Sequence, residues 1–190
     1  QVVIIPIAKN DEQQTAVKNY LEPIRKSLAE KNVRFYEDWT DSSPGFKFNE
    51  WEMKGVPLRL EVGPRDVENG KAVLVRRDNG EKQFIQKGEL AGLVPNLLDE
   101  IQTAMFESAK SFRAENTHTV SSYDAFKKII GNNDGFVRCG WDGTVESEMA
   151  IKDETKATIR VIPFDENPKN LNCIYSGKPA KHEVIFAKAY

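Results

Sequence analysis

Between Phe48 and Asp66 the chain interleaves side chains that stack on a flat ring with side chains that read a ring's edge; the run Lys47 to Asp66 is KFNEWEMKGVPLRLEVGPRD. Phe48 and Glu52 are four residues apart and share one face of a helix. Arg59 and Glu61 stand on the polar side of an alternating strand. Arg65 and Asp66 follow Gly63 and Pro64, a pair that turns the chain. A guanidinium pairs with the acceptor edge of guanine, a carboxylate accepts from an amino group, and a phenyl ring stacks on a base. The competing reading is a core Phe48 and Trp51 beside surface salt bridges, and spacing alone does not separate the two.

Other chemistry is sparse. The sequence has no P-loop, dinucleotide fingerprint, nucleophile elbow or zinc-protease helix. His118 and His182 lie far apart, neither beside a nucleophile, and read as surface or structural histidines. Cys139 reads as a strand residue. No catalytic residue is expected in this stretch of polypeptide.

The elements that must position these side chains follow from periodicity. Val2 to Ile7 is a buried strand; Asp11 caps a helix with Val17, Tyr20, Leu21, Ile24 and Leu28 on one side and Pro23 as an interruption. A second strand covers Val33 to Glu37, a helix Phe46 to Lys54 ends at Gly55, and Leu58, Leu60 and Val62 mark the apolar side of a third strand. Lys71 to Arg77 and Glu81 to Ile85 form a hairpin across Asp78-Asn79-Gly80, and a long amphipathic helix starts at Leu90. Glu115 to Val120 reads as a joint. Beyond it come a helix opened at Ser121-Ser122-Tyr123-Asp124 and closed by Gly131, strands at Phe136 to Trp141, Ala157 to Phe164 and Glu183 to Ala187, and a helix from Glu146 to Glu154. The expectation is an α/β domain over residues 1–112 and a small α+β domain over 113–190.

Composition narrows the partners. With 39% hydrophobic and 29% charged residues the 190-residue chain reads as soluble and globular, with no apolar run near the ~18 residues of a membrane span. A net charge of −2 argues against coating a duplex, which leans on a basic field, and is neutral about reading unstacked loop bases. Two cysteines cannot frame a disulfide scaffold, which suits a reducing cytoplasm. Gln1 opens directly into a strand pattern, so the chain is expected to come from a longer polypeptide.

The Lys47 to Asp66 run closely resembles the anticodon-binding domain of prolyl-tRNA synthetases of the archaeal/eukaryotic-like type. The ending CIYSGKPAKHEVIFAKAY, Cys173 to Tyr190, resembles that family's C-terminal domain. The resemblance implies a mixed-sheet class II synthetase anticodon-binding domain followed by a small α+β module. It further implies contact with the anticodon of proline tRNA, whose second and third bases are guanine, through Phe48, Glu52, Arg59, Arg65 and Asp66, with Lys82 as a lesser contact. The parent would attach proline to tRNA with ATP and Mg²⁺ through a catalytic domain upstream, as a cytoplasmic homodimer with no membrane or DNA partner. The alternatives are a stand-alone anticodon-type RNA-binding module or another class II synthetase.

Family members often carry four cysteines that bind a structural zinc. Aligned through Trp141, Gly143, Ile151 and Thr155, those positions here hold Asp142, Ser147, Cys173 and Ser176. Only one thiol survives, so zinc is expected to be absent. In the family the chain also ends in Tyr, so the resemblance implies that the Tyr190 carboxylate reaches toward the parent's catalytic domain.

Overall fold

Val2–Pro6 (β1) is apolar at every position because it is buried on both faces, inside a sheet between two other strands. It leads into Asp11–Glu30 (α1), then Phe35–Glu37 (β2), Pro44–Met53 (α2), Leu58–Val62 (β3), Pro64–Asn69 (α3), Lys71–Arg76 (β4), Lys82–Gln86 (β5) and Leu90–Glu115 (α4). The strands order as β2-β1-β3-β4-β5, with β1 parallel to β2 and β3 and the β4–β5 hairpin antiparallel. One face of the sheet, carrying Val2, Ile4, Leu58, Leu60 and Leu74, packs on Leu21, Ile24 and Leu28 of α1 and Val94 and Leu97 of α4.

The computed structural model describes residues 1–188. It divides into two compact units, the first ending at Glu107 and the second beginning at Ser108, so the division falls inside α4. Tyr190 lies outside the described residues. No helix among the described residues is long and apolar enough to cross a membrane.

Several local expectations change. The cap of α1 is Asn10, not Asp11: Asn10 is extended and its side chain accepts from the Gln13 N–H at 2.9 Å, which leaves Asp11 in the first turn where its charge suits the helix dipole. Pro23 is carried inside a helix that runs on to Glu30. Gly63-Pro64-Arg65-Asp66 is more than a corner. Gly63 caps α3, Pro64 takes the first-turn position where its missing N–H costs nothing, and Gly70, at φ 64°, ends the helix.

The second unit contains Thr117–Thr119 (β6), Tyr123–Asn132 (α5), Phe136–Trp141 (β7), Val145–Thr155 (α6), Ala157–Val161 (β8) and His182–Lys188 (β9). Its sheet runs β6-β7-β9-β8, parallel only between β6 and β7. The stretch read as a joint therefore includes an edge strand, too short and polar to show a period. Helix α5 is capped by Ser122, and it passes through Gly131 to end at Asn133, which takes the left-handed conformation. Phe126, Ile130, Val137, Ile151, Val184 and Phe186 make a core of its own.

Candidate nucleic-acid interface

Helix α2 sits where it does because of a buried ion pair. Ser43 caps it, Pro44 fills its first turn, and Gly55, at φ +78°, lets the chain leave in the left-handed conformation. Lys47 points inward: its Nζ donates to the Asp38 carbonyl at 2.9 Å and lies 3.7 Å from Asp38 Oδ1. Oδ1 also accepts from the Thr40 hydroxyl at 2.6 Å and the Thr40 N–H at 3.1 Å, while Oδ2 accepts from Trp51 Nε1 at 2.7 Å. Burial by itself would raise the Asp38 pKa, but the Thr40 and Trp51 hydrogen bonds and the Lys47 charge outweigh it and hold it below the usual value. The network pins both ends of α2 beyond β2.

So held, α2 presents Phe48 and Glu52 to the sheet face opposite the α1 and α4 core. The Arg59 guanidinium lies 4.2 Å from the Phe48 ring centroid, and its Nε donates to Glu61 Oε1 at 2.9 Å. Both partners of that pair are mostly buried, 15% and 12% exposed, so Arg59 is held rigidly with one flat side against a ring. Strand register extends the arrangement, since Tyr36, Val3, Arg59, Val75 and Lys82 follow one another across all five strands. Above this row opens a cavity of about 220 Å³ whose polar lining is Glu52, Arg59, Arg76, Arg77 and Lys82, with Trp51 and Val56 along one wall. Trp51 carries Lys54 at 4.1 Å from its ring and tilts against Tyr36 at 5.0 Å.

The structure thus brings together Phe48, Glu52, Arg59 and Lys82. It places Arg65 and Asp66 at the start of α3, outside the cavity lining. Arg65 is exposed, and its guanidinium makes no hydrogen bond or ion pair among the described residues. Asp66 spends one carboxylate oxygen on the Gly63 N–H at 2.8 Å, so part of its role is to cap α3. Sequence reasoning missed Arg77 and the Asp38–Lys47 pair. The spacing of Asp38, Lys47 and Trp51 carries no periodic signal, because their meeting is set by a loop between two elements.

In the second unit, three of the four positions aligned with metal ligands meet, joined by hydrogen bonds. Ser147 Oγ donates to Asp142 Oδ1 at 2.6 Å, Ser176 Oγ donates to Oδ2 at 2.6 Å, and the Thr144 N–H adds a bond at 3.2 Å. Trp141 Nε1 donates to Ser147 Oγ at 2.9 Å. Burial would raise the Asp142 pKa, yet donors from Ser147, Ser176 and Thr144 outweigh it and hold the carboxyl well below the usual range. Zinc wants thiolates or imidazoles, and a hydroxyl must lose its proton to compete. One thiol, Cys173, and a carboxylate already bound by hydroxyls are not a donor set that fits that metal. No group of three or more His, Cys, Asp or Glu among the described residues is arranged to hold a metal ion.

The remaining reactive side chains are spoken for. Cys139 is buried, which with the nearby Cys173 and Glu183 pushes its thiol up to about 12, so it stays protonated and unreactive at neutral pH. His118 Nε2 lies 3.0 Å from the Asp134 carbonyl, and His182 Nδ1 lies 3.2 Å from Glu166 Oε1.

A charged cavity with an aromatic wall offers an unpaired base both a surface to stack on and groups for its edge. Residues 1–97 match the family model described as Anticodon binding domain, which makes the class a mixed-sheet synthetase anticodon-binding domain followed by a small α+β domain. Residues 123–190 match the model described as Prolyl-tRNA synthetase, C-terminal, and with both halves matched the chain belongs to the prolyl-tRNA synthetase family. It is 47% identical over 192 residues to a protein of Rubrobacter xylanophilus named proline–tRNA ligase. It is 45% identical to one from Clostridium novyi and 44% identical to one from Cytophaga hutchinsonii, both carrying the same name. All of this chain is covered in each case, and it spans 39% of the length of each of these relatives.

Proposed function

We propose that this chain is the tRNA-reading part of a proline–tRNA ligase and that it binds the anticodon loop of proline tRNA through the α2 side of its first sheet. The observation that carries the reading is the cavity in which Glu52, Arg59 and Lys82 meet beside Phe48. A guanine offers N–H donors on one edge and O6 and N7 acceptors on others. A carboxylate such as that of Glu52 can accept the adjacent N1–H and N2–H of guanine together, a pair adenine lacks, while Arg59 and Lys82 donate to O6 and N7. Phe48 and Arg59 supply a flat, rigid wall against which a base stacks. Arg65, exposed at the start of α3, is the second contact in this proposal, with Asp66 holding the turn that presents it. The parent enzyme joins proline to tRNA with ATP and Mg²⁺ in the cytoplasm, as a homodimer. The names of the relatives and the partial share of their length that the chain spans support the ligase part of this reading, and the two buried free cysteines accord with a reducing compartment.

Glu52→Gln tests the cavity directly, because it keeps the shape and adds a donor where a guanine also donates. Binding of a proline-tRNA anticodon stem-loop is expected to weaken by roughly 1–3 kcal/mol, and discrimination against a loop with its anticodon guanines changed to adenine should fall with it. Fluorescence anisotropy on the chain as it stands measures both. Equal affinity of the wild type for the two loops would remove the reading.

The second unit, in the same proposal, carries no zinc and is closed by the Asp142 carboxylate instead. Asp142→Ala removes the acceptor that joins Ser147, Ser176 and Thr144 and is expected to cost about 1–3 kcal/mol in urea unfolding. A strong chelator should leave the wild-type Tm unchanged. One tightly held zinc per chain by elemental analysis would contradict this.

A further inference from the structure

A second row of side chains crosses the same sheet face, one step along the strands from the row beneath the cavity. It consists of Ile5, Glu61, Val73 and Phe84. Ile5 is fully buried and Glu61 is tied to Arg59. Phe84 ends the row on the edge strand β5 with 71% of its surface in water, and no ring or cation contact is found for it among the described residues. Its neighbours on the same side of β5 are Lys82 and Gln86, both exposed and polar. A lone phenyl ring with polar neighbours on both sides is a poor protein-docking surface, which needs a contiguous apolar patch. It is a good seat for a base, which brings its own flat apolar face.

We propose that Phe84 is a stacking platform for a second unpaired base of the same RNA loop, next to the base held in the cavity. This rests on the anticodon reading and extends it. Phe84 and Lys82 are two residues apart on one strand face, roughly 7 Å, a single step of the pleat repeat. Adjacent nucleotides of an unstacked loop span a comparable distance, so one base over Arg59 and Lys82 puts the next near Phe84. Lys82, with three N–H donors, can then serve both the edge of the first base and the phosphate that links it to the second. Open sheet faces of other RNA-binding modules use aromatic side chains in this way to stack two or three bases. Because every base has a stackable face, Phe84 adds affinity without choosing the base, whereas Glu52 chooses.

The test uses the same anticodon stem-loop titration. Phe84→Ala is expected to weaken binding by roughly 5- to 100-fold, the usual worth of one stacked base. Phe84→Trp should bind like the wild type, while Phe84→Leu, apolar but without a flat ring, should lose as much as Ala. The fold-loss should be the same on the guanine loop and on the loop with adenines in their place. A 2-aminopurine placed in the loop beside the anticodon should be quenched by the wild type and stay bright with Phe84→Ala. Circular dichroism checks that each variant is folded. Wild-type affinity in Phe84→Ala, or full rescue by Leu, would overturn the platform while leaving the anticodon reading intact, provided Glu52→Gln still loses discrimination. If the wild type itself does not prefer the guanine loop, the anticodon reading fails and the platform falls with it.

Discussion

Asp38→Ala is expected to destabilise the first unit by about 3–5 kcal/mol, because it leaves the buried Lys47 ammonium without its counter-charge, with only the residue-38 carbonyl as acceptor, and the Trp51 N–H without its acceptor. Asp38 and Lys47 are each almost fully buried, 2% and 4% exposed. Urea unfolding followed by tryptophan fluorescence reads the loss, since Trp51 is itself a partner. Replacing both residues, as Asp38→Ala with Lys47→Met, should recover part of it, because an apolar pair no longer holds an unpaired charge. The functional consequence is separable from the stability one. Under conditions where the variant is still folded, Phe48 and Glu52 ride on a helix that has lost its anchor, and stem-loop affinity should fall although neither residue was changed. A double variant that regains stability but not affinity would place the value of the ion pair in positioning.

The same carboxylate sets an acid limit. Its folded pKa lies below its ordinary unfolded value of about 3.9, so the unfolded chain takes up the proton first as pH falls. The stability it contributes is complete above the unfolded value and is lost as pH drops through the folded one. Asp38→Asn should therefore flatten the pH dependence of unfolding at the acid end. A curve as steep as that of the wild type would show that other carboxylates dominate there.

Phe126→Ala or Phe186→Ala is expected to cost the second unit about 3–5 kcal/mol. The two rings meet edge to face, 5.3 Å between centroids and 89° between planes, and neither is exposed to water. Small domains have only about 5–15 kcal/mol in total, so one such cavity takes a large share. Amide exchange should show protection lost across β7 and β9, where Val137 pairs with Phe186, while β1 and β3 keep theirs. Phe126→Leu should retain most of the stability. Protection that collapses in both units together would mean that they unfold as one cooperative body.

How much of this was legible beforehand depends on how local the cause was. Strand β7 is found at the expected Phe136 to Trp141, since alternation and bounding turns are properties of the segment alone. Helix α3 was missed although its signals, Pro at the first turn and Gly after the last, were present. Six residues are too few for a helical period to declare itself, and Gly-Pro reads equally well as a turn. Helix α5 overran Gly131 because Asn133 takes up the left-handed position just as well.

For the candidate site, the residue types between Phe48 and Asp66 and their family wording were enough to propose a nucleic-acid reader and its candidate contacts. They did not say which members stand together. That was decided by strand register, which aligns Tyr36, Val3, Arg59, Val75 and Lys82 across five strands drawn from distant parts of the chain. It was decided too by the Asp38–Lys47 pair, which sets the helix above them. Sequence determines local shape and face, because propensity, capping and alternation act over a few residues. Which faces meet is a matter of long-range pairing and burial, and only the folded chain closes Glu52, Arg59 and Lys82 around one cavity while leaving Arg65 at the start of another helix.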